Sequence, residues 1–250
     1  MQQDEFLKPM IREIFEQSKG RLGAKKIRVK LAEMGTNTSA RRISRLMKEM
    51  DLSCSAPIAK RNYPKENMRQ YSKNKLNRQF SQAAPNQAWI SDITYFKSNG
   101  SKYYICVIID LFARKVLAHE VSQSMPVSFV SSTFIKAYVR RGCPQSLVFH
   151  SDQGAQYTSY SFRKLLEEFK VVQSFSKPGR PFDNAVAESF FSMLKKEELK
   201  RSEYASICEV RCAVDEYIDF YNDERPHQSL SYATPTKVEN QFYERATAIV

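Results

Sequence analysis

Five cysteines (Cys54, Cys106, Cys143, Cys208, Cys212) are scattered through 250 residues, odd in number and without a secretion signal. That usage fits reduced thiols in a cytoplasm and excludes a disulfide-framed secreted domain. Only three histidines (His119, His150, His227) are present, so the Cys208/Cys212 pair finds no partners for a four-ligand zinc site and reads as packing thiols. No window reaches 18 apolar residues, and the start MQQDEFLKPMIREIF has no basic segment followed by an apolar run. A membrane span and an export signal are therefore not expected, which implies a soluble cytoplasmic protein. There is no GxSxG and no Cys/His pair with a third orienting group, so covalent nucleophilic catalysis has no support. No internal repeat occurs. The single tryptophan, Trp89, reads as core.

What is present is aromatic content and unevenly placed charge. The 16 Phe and 13 Tyr within a hydrophobic fraction of 42% argue for a globular chain. Residues 1–84 carry 19 Lys and Arg against 8 Asp and Glu, whereas residues 85–250 carry 20 against 19. Nearly all of the +12 excess lies in the first third. This is the footprint of a polyanion-binding arm attached to a near-neutral body.

Residues 1–54 read as a helix-turn-helix-like DNA-binding module. The first helix, over 4–18, is expected to bury Phe6, Met10, Ile14 and Phe15. A second helix over Ala24–Met34 buries Ile27 and Leu31 and is closed by Gly35. A third, capped by Thr38 or Ser39, buries Ile43, Leu46 and Met47 and presents Arg41, Arg42 and Arg45 for DNA contact. The alternative is a small bundle with a solvated basic face. Residues 55–87, rich in basic and amide side chains, lose the periodicity and read as a basic linker or an arm laid along DNA. The core spans 88–236. AWISDITYF, KYYICVIIDLF and KVLAHEV read as three strands joined by turns such as SNGS. A helix, the strand QSLVFH, a helix, the strand VVQSF and two long helices follow. The expected fold is α/β, a mixed five-stranded sheet flanked by helices. Residues 237–250 are a C-terminal tail.

Three acids stand out. Asp92 interrupts an apolar strand, where a lone carboxylate is costly without a partner. Asp152 falls just past a strand end, where clefts of such sheets open. Glu188, flanked by Ala187 and Phe190, lies on a helix face expected to look toward the sheet. Carboxylates from separate elements suit hard cations, and phosphodiester chemistry by two metal ions needs such a cage. Asp110 reads as a turn residue and a weaker ligand candidate, Asp183 as an N-cap, and His150 as a packed or hydrogen-bonded support for the Asp152 loop. Arg225 and His227 read as structural.

WISDITYF, VIIDLFARKV, FHSDQGAQYTS, PFDNAVAESFFSMLKKE and YNDERPHQSLSYATP resemble, in order and spacing, the integrase-core transposases of bacterial insertion sequences, of the group whose second reading frame encodes the catalytic protein. The resemblance covers about residues 85–236, more loosely the amino-terminal helices. With 35 residues between Asp152 and Glu188, it implies a ribonuclease-H-like fold with catalytic, metal-holding Asp92, Asp152 and Glu188. It puts Lys195 two helical turns past Glu188, on terminal DNA phosphates. It implies Mg²⁺, with Mn²⁺ able to substitute. It implies cleavage of element ends, joining of the 3′ hydroxyl to target DNA, a homo-oligomer in the DNA complex, association with the nucleoid, and fusion to or partnership with an upstream-frame protein. The alternatives are a non-enzymatic DNA-binding regulator and a nuclease of the same fold that only hydrolyses.

Overall fold

The computed structural model describes residues 2–54, 74–177 and 181–248. It divides into two compact units, Met1–Ala59 with Glu224–Thr234, and Lys60–Asp223 with Pro235–Val250. Among the described residues no helix is long and apolar enough to cross a membrane.

The first unit contains α1 (Gln2–Gln17), α2 (Ala24–Glu33) and α3 (Ala40–Glu49). Its core is Leu7, Ile11, Ile14, Ile27, Leu31, Ile43, Leu46 and Met47. The second and third helices bury the expected residues. In α1 the packed stripe is Leu7, Ile11 and Ile14, while Phe6 is 63% exposed. Two apolar series compete on that helix, and the one at i, i+4, i+7 packs. Gly35, at φ +80°, follows α2 in the left-handed conformation, and the Thr36 N–H donates to the Leu31 carbonyl at 2.7 Å, a C-terminal cap. The Ser39 Oγ caps α3 by accepting from the Arg42 N–H at 3.2 Å. In the same unit, within 224–234, the His227 N–H donates to the Ala233 carbonyl at 3.1 Å. Arg225 and His227 are both buried there, in line with the structural role expected of them.

The second unit is built on a sheet of order β3-β2-β1-β4-β5. Its strands are β1 (Ala88–Ser98), β2 (Ser101–Asp110), β3 (Val116–Ser122), β4 (Val148–Ser151) and β5 (Val172–Phe175). The β1–β2 hairpin closes through Asn99 and Gly100, both at positive φ, which a two-residue turn between right-twisted strands requires. β1 and β2 are antiparallel, β2 and β3 likewise, while β4 runs parallel to β1 and β5 parallel to β4. One face is covered by α4 (Val127–Arg140), α5 (Ala155–Thr158) and α6 (Tyr160–Glu168). Trp89, Phe134, Tyr138, Phe149 and Phe162 pack there in a single aromatic cluster. The opposite face receives α7 (Ala185–Leu194) and α8 (Ile207–Asp219), where Phe190, Tyr217 and Tyr221 interlock.

Three expectations are corrected here. The last stretch of the presumed linker, 74–87, belongs to this unit, because Leu76 is buried and the Lys75 and Leu76 N–H groups both donate to Ser174 Oγ at 2.9 and 3.1 Å. Residues 55–73 lie outside the described residues. The presumed tail is largely a helix, α9 (Pro235–Thr247), held by buried Glu239, which binds Lys115 Nζ at 2.8 Å and Arg141 Nη2 at 2.5 Å. Cys208 and Cys212 are exposed rather than packed.

Candidate active site

Strand register brings the first two acids together. Ile90 on β1 lies beside His150 on β4 in parallel pairing. Two residues further along each chain come Asp92 and Asp152, level with one another where β4 leaves the sheet. Because side chains alternate with a period of two, both lie on the face of Ile90 and His150. Asp92 and Asp152 line one cavity of about 290 Å³, with Gly154, Gln156 and Tyr157 on its wall.

Each carboxylate is oriented by backbone. The Ile93 N–H donates to Asp92 Oδ1 at 2.8 Å and the Gly154 N–H to Asp152 Oδ1 at 3.0 Å. A Cβ placed on Gly154 would stand 3.0 Å from Asp152 Oδ1, so glycine at that position leaves the carboxylate its room. Desolvation, then repulsion by Asp152 and Glu188, pushes the Asp92 carboxyl up to about 8, against the pull of the Ile93 N–H and of Lys195. Asp152 is also raised by desolvation, opposed by the Gly154 N–H. Its side chain touches solvent at the cavity mouth, yet protein on most sides still strips water from it.

Glu188 is carried by α7, the helix that packs on this same face of the sheet. Ala187, Phe190, Phe191 and Leu194 are the buried residues of α7, and Glu188 is exposed at the border of that stripe. The expectation that its helix face looks squarely at the sheet is corrected accordingly: the apolar neighbours take that position, and the carboxylate stands beside them, near enough to repel Asp92. Among the described residues no group of three or more His, Cys, Asp or Glu side chains is gathered as a ready ion cage. The donor set on the cavity wall, two repelling carboxylates with oxygen atoms only, fits a hard divalent cation.

Lys195 follows the last residue of α7, where the helix widens into a π-helical turn at Lys195–Leu199. Seven residues of regular helix bring it back to within about 20° of Glu188. Its Nζ donates to Thr94 Oγ1 at 2.5 Å, and Thr94 shares that cavity wall.

His150 is fully buried behind the acids. The Ser174 hydroxyl, already accepting from two backbone N–H groups, can donate only to His150 Nδ1, at 2.9 Å. Nε2–H then donates to the Asp183 carbonyl at 3.0 Å. Burial drives this imidazole down to about 4, opposed by the Asp183 carbonyl, so it serves as a neutral brace. Asp183 does not cap α7. Its carboxylate instead accepts from Arg78 Nε at 2.6 Å, Asn74 Nδ2 at 3.1 Å and the Lys177 N–H at 3.0 Å. Asp110 is buried and accepts from the Asn86 and Phe112 N–H groups, a turn-holding role that leaves it outside the acid cavity.

In the first unit, Arg41 is exposed. Arg42 Nε and Arg45 Nη2 both donate to Asp4, at 2.6 and 2.8 Å, and Arg45 Nη1 donates to Glu49 at 2.6 Å. The basic face expected of α3 is therefore partly neutralised from α1. Thr94, Gly154 and the cavity-wall residues Tyr95, Lys102 and Tyr104 were not singled out from sequence. Thr94 could have been, since it lies two residues past Asp92 on the same strand face.

Two stretches of the chain match the integrase core domain family, residues 82–181 and 170–235, and residues 2–61 match an HTH-like domain. The chain is 32% identical over 237 residues to the putative transposase InsK of insertion sequence IS150 from Escherichia coli K12, covering 95% of this chain and 84% of that one. It is also 32% identical to the transposase of IS904 from Lactococcus lactis, covering 94% of each. Among solved structures it is similar in fold to a chain of a simian T-cell lymphotropic virus intasome complex, at TM-score 0.55, 16% identity and coverage of 92% of this chain and 74% of that one. The catalytic core domain of BIV integrase gives TM-score 0.50 at 18% identity, over 65% of this chain and 99% of that core.

Proposed function

Because the chain belongs to the integrase-core transposases of bacterial insertion sequences, we propose that Asp92, Asp152 and Glu188 are its catalytic carboxylates and hold divalent metal, Mg²⁺ in the cell, with Mn²⁺ able to replace it. The observation that carries this reading is the shared cavity of Asp92 and Asp152, with Glu188 close enough to raise the Asp92 carboxyl. Bound there, a divalent ion would supply Lewis-acid activation of a phosphodiester and charge neutralisation.

The remaining work falls to the chain's own residues. The Ile93 and Gly154 N–H groups fix one oxygen of each aspartate, and Lys195 offers a cation to DNA phosphate from the Thr94 side. In the first step water attacks phosphorus at the element's end, the P–O3′ bond breaks, and a 3′ hydroxyl is released. In the second that hydroxyl attacks a target phosphodiester and displaces the target's 3′ oxygen. Arg41, Arg42 and Arg45 on the HTH-like unit are proposed to contact DNA. The active form is a homo-oligomer on DNA, alone or joined to an upstream-frame protein, in the cytoplasm at the nucleoid.

The test uses linear DNA carrying the element's own ends, with Mg²⁺. Wild type cleaves and joins; Glu188→Gln keeps size and hydrogen bonding, binds DNA, and loses on the order of 10³-fold or more in rate. Equal activity in the variant sinks the assignment. Cleavage without joined products would make the protein a hydrolytic nuclease, and binding without cleavage a regulator.

A further inference from the structure

The β1–β2 hairpin carries two neighbouring aromatic pairs with different surroundings. Phe96 lies opposite Tyr103, ring centroids 5.5 Å apart, with the Tyr204 ring edge-on to Phe96; both members are buried. That pair packs the hairpin. On the other face Tyr95 lies opposite Tyr104, centroids 6.4 Å apart and tilted by 56°, with Tyr95 52% exposed. Lys102 Nζ sits 4.2 Å from the Tyr95 ring centre and 4.7 Å from that of Tyr104. Lys195 Nζ stands 5.7 Å from the Tyr95 ring. Tyr95, Lys102 and Tyr104 line the same cavity as Asp92 and Asp152.

A cross-strand tyrosine pair stabilises a hairpin by itself, but that role is already filled by Phe96 and Tyr103 and does not call for an exposed ring at the rim of an acid-lined cavity. Tyr95 offers an exposed ring beside Lys102 and Lys195, backed by Tyr104, which is half-buried against the core; an exposed aromatic flanked by lysines attracts a flat π-system attached to a phosphate. In a duplex the faces of paired bases are covered by their neighbours, so the ligand must be unstacked.

We infer that Tyr95 and Tyr104 form a stacking platform for one unpaired nucleotide next to the scissile phosphate, with Lys102 on the phosphate of that nucleotide. The inference rests on the DNA-processing reading above and adds to it: the strand entering the acids is locally opened, and the displaced base is held on the tyrosines. Stacking of this kind tolerates any base, so the platform fixes geometry rather than sequence.

The test is photocrosslinking of the full chain to an element-end duplex carrying 5-iodo-2′-deoxyuridine at each position flanking the scissile phosphate, in Ca²⁺ so that nothing turns over. Wild type crosslinks through Tyr95 or Tyr104 at one of these positions, Tyr95→Phe retains the crosslink, and Tyr95→Ala with Tyr104→Ala loses it. In Mg²⁺, Tyr95→Ala slows single-turnover cleavage of the paired end about 10-fold, and less when the flanking base is already mismatched, as expected when one stacked base is lost. A crosslink that maps elsewhere, or that survives the double alanine variant, overturns the platform. That outcome is separable from failure of the catalytic assignment, which Glu188→Gln reports by cleavage without any change in crosslinking.

Discussion

Arg78 and Asp183, separated by 105 positions, meet at 2.6 Å between Nε and Oδ1, which ties the stretch leading into the sheet to the turn that starts the Glu188 helix. The Asp183 side chain is 2% exposed while that of Arg78 is 45% exposed, so the carboxylate is covered only shallowly. Desolvation works to raise it, but the hydrogen bonds from Arg78 and the Lys177 N–H outweigh that and hold it below the ordinary carboxylate value. Its own carbonyl accepts from His150, two residues before Asp152. One residue thus braces both acid-bearing segments. Asp183→Ala is expected to lower unfolding stability by about 3 kcal/mol and Arg78→Ala by roughly 1.5 kcal/mol, since the exposed arginine is partly replaced by water. Urea denaturation measures both; a change under half a kcal/mol in Asp183→Ala would remove the brace.

How much of this arrangement the chain announces in advance depends on the range of the interaction. Strands β1 to β5 follow from alternation and β-branched runs, and Asp92 is conspicuous because a carboxylate interrupts an apolar strand. The stripe on α1 was not decidable locally, as Phe6–Met10 and Leu7–Ile11 are both i, i+4 apolar pairs, and only the partners on α2 and α3 select the second. Asp183 before an apolar helix has the local look of a cap, and its donors at Asn74 and Arg78 lie too far along the chain to be paired with it by inspection. The same holds for Glu239, whose partners Lys115 and Arg141 make a helix out of an apparent tail. Glu188 stands out as a candidate through the resemblance and its 35-residue gap from Asp152, but its stance at the border of the packed stripe is set by how α7 rotates onto the sheet.

Gly154 offers a test of how tightly the Asp152 carboxylate must be held. Its φ of −57° suits any L-residue, so alanine brings no backbone strain, only a Cβ 3.0 Å from Asp152 Oδ1. Gly154→Ala should fold with near wild-type stability yet cleave DNA roughly 10-fold more slowly, because a displaced ligand degrades alignment at the phosphate. Single-turnover kinetics alongside thermal melting separates the two effects. Unchanged kinetics would mean the carboxylate has slack.

Glu239 gives a pH dependence. Desolvation raises its carboxyl, but Arg141 and then Lys115 pull it down further, leaving it below its ordinary value of 4.5. A depressed folded-state value means the stabilisation is complete above 4.5 and is lost as pH falls through the folded value. Glu239→Gln should therefore cost about 3 kcal/mol near neutrality and progressively less in acid, where the wild-type carboxylate is itself protonated. Parallel denaturation curves for the two proteins across that range check it; a constant difference at all pH values would refute the ion-pair origin.

Repulsion between Asp92 and Asp152 should be visible as stability. In chelator near neutral pH the folded wild type has to hold Asp92 protonated far above its ordinary value, a cost that Asp92→Asn lacks, and the variant is expected to melt roughly 3 °C above wild type. Added Mg²⁺ should then stabilise wild type and leave Asp92→Asn almost unmoved, since only the intact pair gains a ligand. Equal metal response in both proteins would take the ion away from this pair.

Asp4 decides how much positive charge α3 shows. Its carboxyl is held down at about 2 by hydrogen bonds from Arg45 and Arg42, and these are two of the three side chains of α3 proposed to meet DNA. While they face Asp4 their charge is locally cancelled, so Asp4→Asn should expose it. Binding of the full chain to a duplex, followed by fluorescence anisotropy across a salt series, is expected to tighten in the variant. The slope of log K against log salt should steepen by about 1 to 2, the increment for one or two further phosphate contacts. Adding Arg42→Ala and Arg45→Ala to Asp4→Asn should cancel the gain. Should affinity and slope stay at wild-type values in Asp4→Asn, then Arg42 and Arg45 serve to fasten α3 to α1, and DNA contact by this unit would have to rely on Arg41 and its other exposed cations.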